Sequence, residues 1–310
     1  MNALITVQES NLIESPRDLI APFVASLDLR ERSKQSYSKN ISYYFDWLEA
    51  SGRKGGDRAD ILAYKDYLKA RYEASTISAY LSSVRSFYSW LEASGLYSNV
   101  ANGIKGAKKP VGFRKDPLTV DQVKAVLSGI DRGTLEGLRD YALVNLLIHT
   151  GLRTIEVQRA DTSDIRQVGG KLVLFVQGKG HDEKDAFVIL TPSVYKSIMD
   201  YLEARHVKVS SDSPLFASIS NRNVQGRLTT RSMSRIVKEA LMRAGINSDR
   251  ITAHSMRHTA VTLALIGGAS IQEAQSMARH TNINTTMIYA HNLDRLDSPA
   301  ESKIEALLGI

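Results

Sequence analysis

Ile251-Thr-Ala-His254-Ser-Met-Arg257-His258-Thr259, then Ala278-Arg279-His280-Thr281, then Thr285-Thr-Met-Ile-Tyr289-Ala290 are the segments around which the chain is best read. Histidine, arginine and tyrosine return there at short, ordered intervals, with helical periodicity broken by brief Gly, Ser and Asn stretches. His254 and Arg257 are three apart, so on a helix they share a face. An arginine beside a histidine makes a binding site for an anionic oxygen. Tyr289 follows the polar turn Asn282–Asn284 and can be presented to that site as a nucleophile.

Outward from this segment, 310 residues suffice for two domains, each with its own core. Hydrophobic content of 43% and charged content of 24% are ordinary for a globular chain. Forty Lys+Arg against 33 Asp+Glu give +7, a modest pointer toward a polyanionic partner. The absence of cysteine excludes a disulfide framework, thiol catalysis and Cys-ligated zinc, and suits a reducing cytoplasm. The N-terminus lacks the basic and apolar blocks of a signal peptide, and no apolar run approaches ~20 residues. A cytoplasmic protein without a membrane span is therefore expected.

Residues 1–14 read as a lead-in, and 15–103 as a helical domain. Its first helix starts at Ser15-Pro16 and carries the stripe Leu19, Ile20, Phe23, Leu27. The second, about 33–50, turns Tyr37, Ile41, Tyr44, Phe45 and Leu48 inward and Lys34, Lys39 and Asn40 outward. Asp57 and Asp60 are candidate caps for the third. Ser75 opens the fourth, whose outer face offers Ser75, Thr76, Ser78, Ser82 and Arg85. Nine of the thirteen tyrosines precede Gly103, which predicts an aromatic core. The hydroxyl, amide and basic groups between them are also what a phosphate-contacting surface uses.

Residues 104–117 hold Lys105, Lys108, Lys109, Gly and Pro with little to bury, and form a basic linker or a strap along a phosphate backbone. The second domain, 118–296, begins at the capping box Thr119-Val-Asp-Gln122. Helices run to about Thr150, and Gly151-Leu-Arg153-Thr-Ile-Glu156 opens another. Lys171–Gln177 and Ala186–Leu190 read as the two strands of a hairpin turning at Gly178-Lys179-Gly180. Helices near 192–205, 229–244, 256–266, 270–279 and 283–290 follow. Arg231 and Arg235, a turn apart, face DNA or solvent. Residues 297–310 form a tail helix with the stripe Ile304, Leu307, Leu308, Ile310. The expected fold is mainly α with a small β-hairpin.

These residues can perform side-chain attack on a phosphodiester. Such a reaction needs charge on the nonbridging oxygens, a nucleophile, and a proton for the departing 5′ oxygen. Arg153 and Arg257 would clamp the phosphoryl oxygens, Tyr289 would attack, Lys179 at the hairpin tip would be general acid, and His254 and His280 would donate hydrogen bonds or shuttle protons.

Thr150-Gly-Leu-Arg-Thr-Ile-Glu156, the Gly-Lys-Gly turn, His254-Ser-Met-Arg-His258, and Ala278-Arg-His280 followed by Ile288-Tyr-Ala-His291 resemble the tyrosine recombinases, or phage integrases. The resemblance covers about residues 15–292, and the layout is similar to compact Xer-type members, with no arm-site domain expected before residue 15. It implies catalytic roles for Arg153, Lys179, His254, Arg257, His280 and Tyr289, with Glu156 supporting the first arginine and His258 a supporting position. It further implies a 3′-phosphotyrosine intermediate without metal, ATP or other cofactor. The implied partners are duplex DNA with short inverted-repeat core sites, related protomers in a homo- or hetero-tetramer joined at a Holliday junction, and an accessory protein. The tail stripe resembles one that docks on a neighbouring protomer. In one place the sequence departs: Ala278-Arg279 stands where the family has Leu-Gly, placing bulk and charge beside His280.

Other readings remain open from sequence. His254 and His258 are spaced i, i+4 as in zinc helices, with His280 and His291 nearby, but Ser255 replaces the glutamate of that pattern and Arg257 sets a positive charge beside it. Relaxation of supercoils by the same tyrosine chemistry, as in type IB topoisomerases, and a non-catalytic DNA-binding regulator are the remaining alternatives. His149, in an apolar run, reads as a core histidine.

Overall fold

A computed structural model describes residues 16–108, 115–178, 181–209, 212–221, 223–297 and 300–309. The lead-in, Lys109, Lys179, Gly180 and Ile310 lie outside the described residues. The chain divides into two compact units, Met1–Val111 and Gly112–Ile310, and the division falls inside the basic segment 104–117. No described helix is long and apolar enough to cross a membrane.

In the first unit a short 3-10 turn, Pro16–Leu19, leads into α1 (Ile20–Ser26). α2 (Glu31–Ala50), α3 (Arg58–Lys69) and α4 (Ala74–Ala93) follow. The expected aromatic core is present: Phe23 and Phe87 meet edge-on at 5.3 Å, and Tyr44, Tyr64 and Tyr88 are fully buried. Burying a tyrosine leaves a hydroxyl to be satisfied. Tyr44 and Tyr88 share a hydrogen bond of 3.2 Å, and Tyr88 also donates to the Gly55 carbonyl. Of the two candidate caps, only Asp57 caps α3, accepting the Asp60 N–H at 2.9 Å. Asp60 turns back instead, accepting from Gly55 N–H and the Arg53 guanidinium, because Gly55 with φ +71° brings the loop over the helix start. Asn40, expected outside, faces α4 and donates to Ser83 Oγ at 3.0 Å. α4 starts at Ala74, with Glu73 rather than a serine at the N-cap.

The second unit opens with α5 (Val120–Ser128), carrying the expected capping box between Thr119 and Gln122. α6 (Leu135–Thr150) is its central rod, buried from Ala142 to Ile148 because apolar side chains occupy nearly every face. α7 (Thr154–Arg159) follows directly. Three antiparallel strands, β1 (Ile165–Val168), β2 (Lys171–Val176) and β3 (Ala186–Ile189), then form a sheet in that order. Leu174 pairs with Val188 and both point into the core.

The hairpin expected from sequence is thus two strands of three. β1 buries only Ile165, so Ile-Arg-Gln-Val shows no alternation. Its signal is Gly169-Gly170, both at positive φ, the two-residue turn that joins it to β2.

α8 (Pro192–Ala204), α9 (Thr230–Arg243), α10 (Ala253–Ile266), α11 (Ile271–Ala278), α12 (Asn284–Asp297) and α13 (Ala300–Leu308) complete the unit. α10 packs on α6, and α11 and α12 pack on α10. α10 begins three residues before the expected 256, and α12 runs beyond the expected 290. The stripe of α13 is open to solvent, with Leu307 86% exposed.

Candidate active site

The site gathers at the turn between α6 and α7, on the first half of α10, and at the junction of α11 with α12. α6 stops at Gly151, whose φ of +60° returns its N–H to the Leu147 carbonyl. An added Cβ there would meet Ala260 Cβ at 3.3 Å, so the turn lies close on α10. Arg153, expected within a helix, is instead the N-cap of α7 in extended conformation. Glu156 fixes it twice: the Arg153 N–H donates to Oε2 at 2.7 Å and Nη1 donates to Oε1 at 2.9 Å. Glu156 is wholly buried, so the pair is more than a surface helix contact.

His254 and Arg257 sit on one face of the first turns of α10, as their spacing requires. Arg257 is buried; it donates through Nη1 to the Gly151 carbonyl at 2.8 Å and through Nη2 to the Ala278 carbonyl. Two of its five donors thus anchor it and the rest are left for a ligand. Burial, and then the neighbouring Arg153 and Arg279 charges, push its pKa down to about 10, which leaves it charged at neutral pH. His254 stands at the surface, held below its ordinary pKa first by desolvation and then by Arg257 and Arg153. Arg153, His254 and Arg257 line a cleft of about 610 Å³ together with Ser234 and Lys238 of α9. Lys238 was not singled out by its position in the sequence. Arg231 and Arg235 do not line this cleft; Arg235 pairs with Glu239 at 3.5 Å.

Tyr289, on α12, is 4% exposed and packs with Val261, Ala274 and Ala278. Its hydroxyl lies 2.5 Å from His258 Nδ1. Burial raises the phenol to about 12, against a smaller opposing effect of Arg257. Burial, His254 and Arg257 push His258 down to about 4. At neutral pH the phenol therefore keeps its proton and donates it to a neutral imidazole. His280 follows α11; its Nδ1 is 2.8 Å from Thr286 Oγ1 and its ring stacks on Tyr289 at 6.3 Å. It too falls to about 4, first through burial and then through Arg257, Arg153, Arg279 and His258. Thr286, the second residue of Thr285-Thr286, is buried as this histidine's partner.

The structure thus brings together Arg153, Glu156, His254, Arg257, His258, His280 and Tyr289. Lys179 is outside the described residues, but the base of its turn is tied down. Arg159 Nη1 donates to the Gly178 carbonyl at 3.2 Å, and Lys184 bridges Asp161 and Asp164. His149, expected in the core, is exposed, its Nδ1 3.0 Å from the Asn145 carbonyl one turn back. His181 pairs with Asp185 at 2.6 Å. In the first unit Lys39, Ser75, Lys105 and Lys108 are exposed, Thr76 is half-buried, and Arg85 donates to the Ile104 carbonyl at 3.2 Å.

The two depressed histidines have a consequence for stability. In the unfolded chain they take a proton near 6.5, well before the folded site does near 4. Stability supplied by His258 and His280 is therefore present above about pH 6.5 and is lost as pH falls toward 4. The melting temperature should drop across that window, and His280→Gln should flatten the drop; an unchanged slope in the variant would contradict the assignment.

Comparison with known proteins places the chain in a family. Residues 117–295 match the phage integrase family, and residues 23–95 match the phage integrase N-terminal SAM-like domain. Tyrosine recombinase XerD of Rhizobium meliloti is 30% identical over 271 residues, covering 84% of this chain and 85% of the relative. The fold is similar to that of XerH site-specific recombinase bound to palindromic difH in a post-cleavage complex. That match has a TM-score of 0.71 and 18% identity, covering 87% of this chain and 80% of the other. It is also similar to lambda integrase in a tetramer bound to a Holliday junction, with a TM-score of 0.67, 17% identity and coverage of 88% and 75%. The chain belongs to the phage integrase family, the tyrosine recombinases.

Proposed function

We propose that this recombinase cleaves and rejoins DNA through a covalent bond between Tyr289 and a 3′ phosphate. The observation that carries the reading is the shared setting of Tyr289 and Arg257. The Arg257 guanidinium donates to the Ala278 carbonyl, the buried Tyr289 ring packs on the same Ala278, and Arg153, held by Glu156, adds a second cation. Arg153 and Arg257 hold the nonbridging oxygens and neutralise the charge that builds at phosphorus. The Tyr289 oxygen attacks as the bond to the 5′ oxygen breaks, its own proton passing to His258 Nδ1 during the attack, and Lys179 supplies the proton that this leaving oxygen takes. Attack by the 5′ hydroxyl of a second strand reverses the step and releases the tyrosine. One phosphoester replaces another at each stage, so no ATP is consumed. His254 and His280, neutral at pH 7, serve as hydrogen-bond donors to the phosphate.

The relatives are named as recombinases, which favours strand exchange over relaxation of supercoils. By analogy with the lambda integrase tetramer, four protomers would act on two duplexes, paired at short inverted repeats. The open stripe of α13 is the segment we assign to a neighbouring protomer. Lys39, Ser75, Thr76, Arg85, Lys105, Lys108, Lys109, Arg231 and Arg235 are assigned to DNA, and the cleft position adds Lys238.

The test is to incubate the full chain with nicked duplexes drawn from the DNA flanking its gene, trap the adduct, and map the attached peptide. The Tyr289 peptide is expected; attachment elsewhere, or none, would overturn the nucleophile. Binding should also weaken steeply with salt, as counterions released from the DNA require.

A further inference from the structure

We propose that Arg279 is a positioning residue for strand cleavage, fixing the turn that carries His280 to the turn that carries Arg153 through the buried carboxylate of Glu156. The proposal deepens the phosphotyrosine reading and rests on it.

Arg279 ends α11 with φ +55° and ψ +47°, a left-handed conformation that glycine adopts without hindrance and other residues resist. An arginine also leaves its Nε buried with no hydrogen-bond partner among the described residues. For stopping the helix alone, both features are disadvantages. The guanidinium, however, makes contacts no glycine can. Nη2 donates to Glu156 Oε2 at 2.9 Å and Nη1 donates to the Met277 carbonyl at 2.8 Å, with the side chain only 14% exposed.

Glu156 is the common partner. Its carboxylate, 1% exposed, accepts Arg153 Nη1, the Arg153 N–H and Arg279 Nη2. A carboxylate that deeply buried is held in place by its charged donors, and losing one leaves the others with a looser anchor.

The end of α11 and the turn after α6 are therefore tied twice. One tie runs from the Gly151 carbonyl through Arg257 to the Ala278 carbonyl, and the other from Arg153 through Glu156 to Arg279. The first tie is made by a residue that must also hold phosphate. The second also begins at a phosphate-holding arginine but ends on Arg279, a side chain given no part in the chemistry, and it sets the spacing of Arg153 from the segment leading to His280 and Tyr289. A clamp that shifts by a fraction of an ångström loses rate without losing affinity.

The experiment is single-turnover cleavage of the nicked duplex by the full chain, with DNA affinity and melting temperature measured in parallel. Arg279→Met should cleave about tenfold slower at unchanged affinity. Arg279→Lys, which keeps a charge within reach of Glu156, should recover most of that loss. Arg279→Gly should fold at least as stably as Arg279→Met, because it relieves the backbone, and yet cleave no faster. In a Glu156→Gln background Arg279→Met should have no further effect. Wild-type rates in Arg279→Met, a lysine variant as slow as the methionine one, a glycine variant faster than it, or a full additional loss in the Glu156→Gln background would each overturn the proposal. If the wild type itself forms no adduct, the phosphotyrosine reading fails and takes this one with it; an adduct that forms regardless of residue 279 removes this one alone.

Discussion

Tyr289→Phe should bind DNA as the wild type does and form no covalent adduct, a loss of cleavage of about 10⁴-fold or more, as expected when a nucleophile is deleted. The substitution isolates chemistry from packing. The ring lies against Val261, Ala274 and Ala278, contacts that phenylalanine keeps. It removes one oxygen and leaves His258 Nδ1 without that donor, a cost of about 1 kcal/mol that the fold tolerates. A gel-shift assay and a denaturing gel on the same nicked duplex separate the two outcomes. An adduct formed by the phenylalanine variant would end the assignment.

Arg257→Lys should be nearly as severe, with cleavage reduced about 10³-fold, in the range found when a transition-state donor is withdrawn. Lysine preserves the charge but not the fork. The guanidinium spans two carbonyls, Gly151 on the turn after α6 and Ala278 at the end of α11, and still has donors to spare. A single ammonium cannot hold both carbonyls and a phosphate oxygen. Because the site is buried, some thermal destabilisation is also expected, so cleavage is to be measured below the variant's melting range. Cleavage at the wild-type rate would show that the two carbonyl contacts are structural and that the phosphate is held elsewhere.

Much of this architecture could be read from side-chain periodicity. The four helices of the first unit follow from stripes such as Ile41, Tyr44, Phe45, Leu48, and the start of the second from Thr119 and Gln122. β1 could not, because a strand with one buried residue has no pattern, and only Gly169-Gly170 marks it. At the site, short-range spacing placed His254 and Arg257 on one face. Long-range partnerships left no such trace. Glu156 and Arg279 are 123 residues apart, and neither residue type nor interval announces that they share a hydrogen bond. Arg153 shows the same limit on a smaller scale, since a residue before the first helical turn and one within it read alike in sequence while their backbone conformations differ. Asn40 and Asp60 differ from expectation for a related reason. A short polar side chain is equally at home in water or bonded to a neighbouring helix, and only packing decides.

The bond between Tyr289 and His258 also constrains the timing of the reaction. Burial holds the phenol above its ordinary pKa and the imidazole below its own, so transfer of the proton between them in the resting site runs against both shifts. A free phenolate is therefore disfavoured in the resting site. On the proposed reading, the proton leaves as the oxygen advances on phosphorus, when the acidity of the phenol climbs as its electrons are drawn into the new bond.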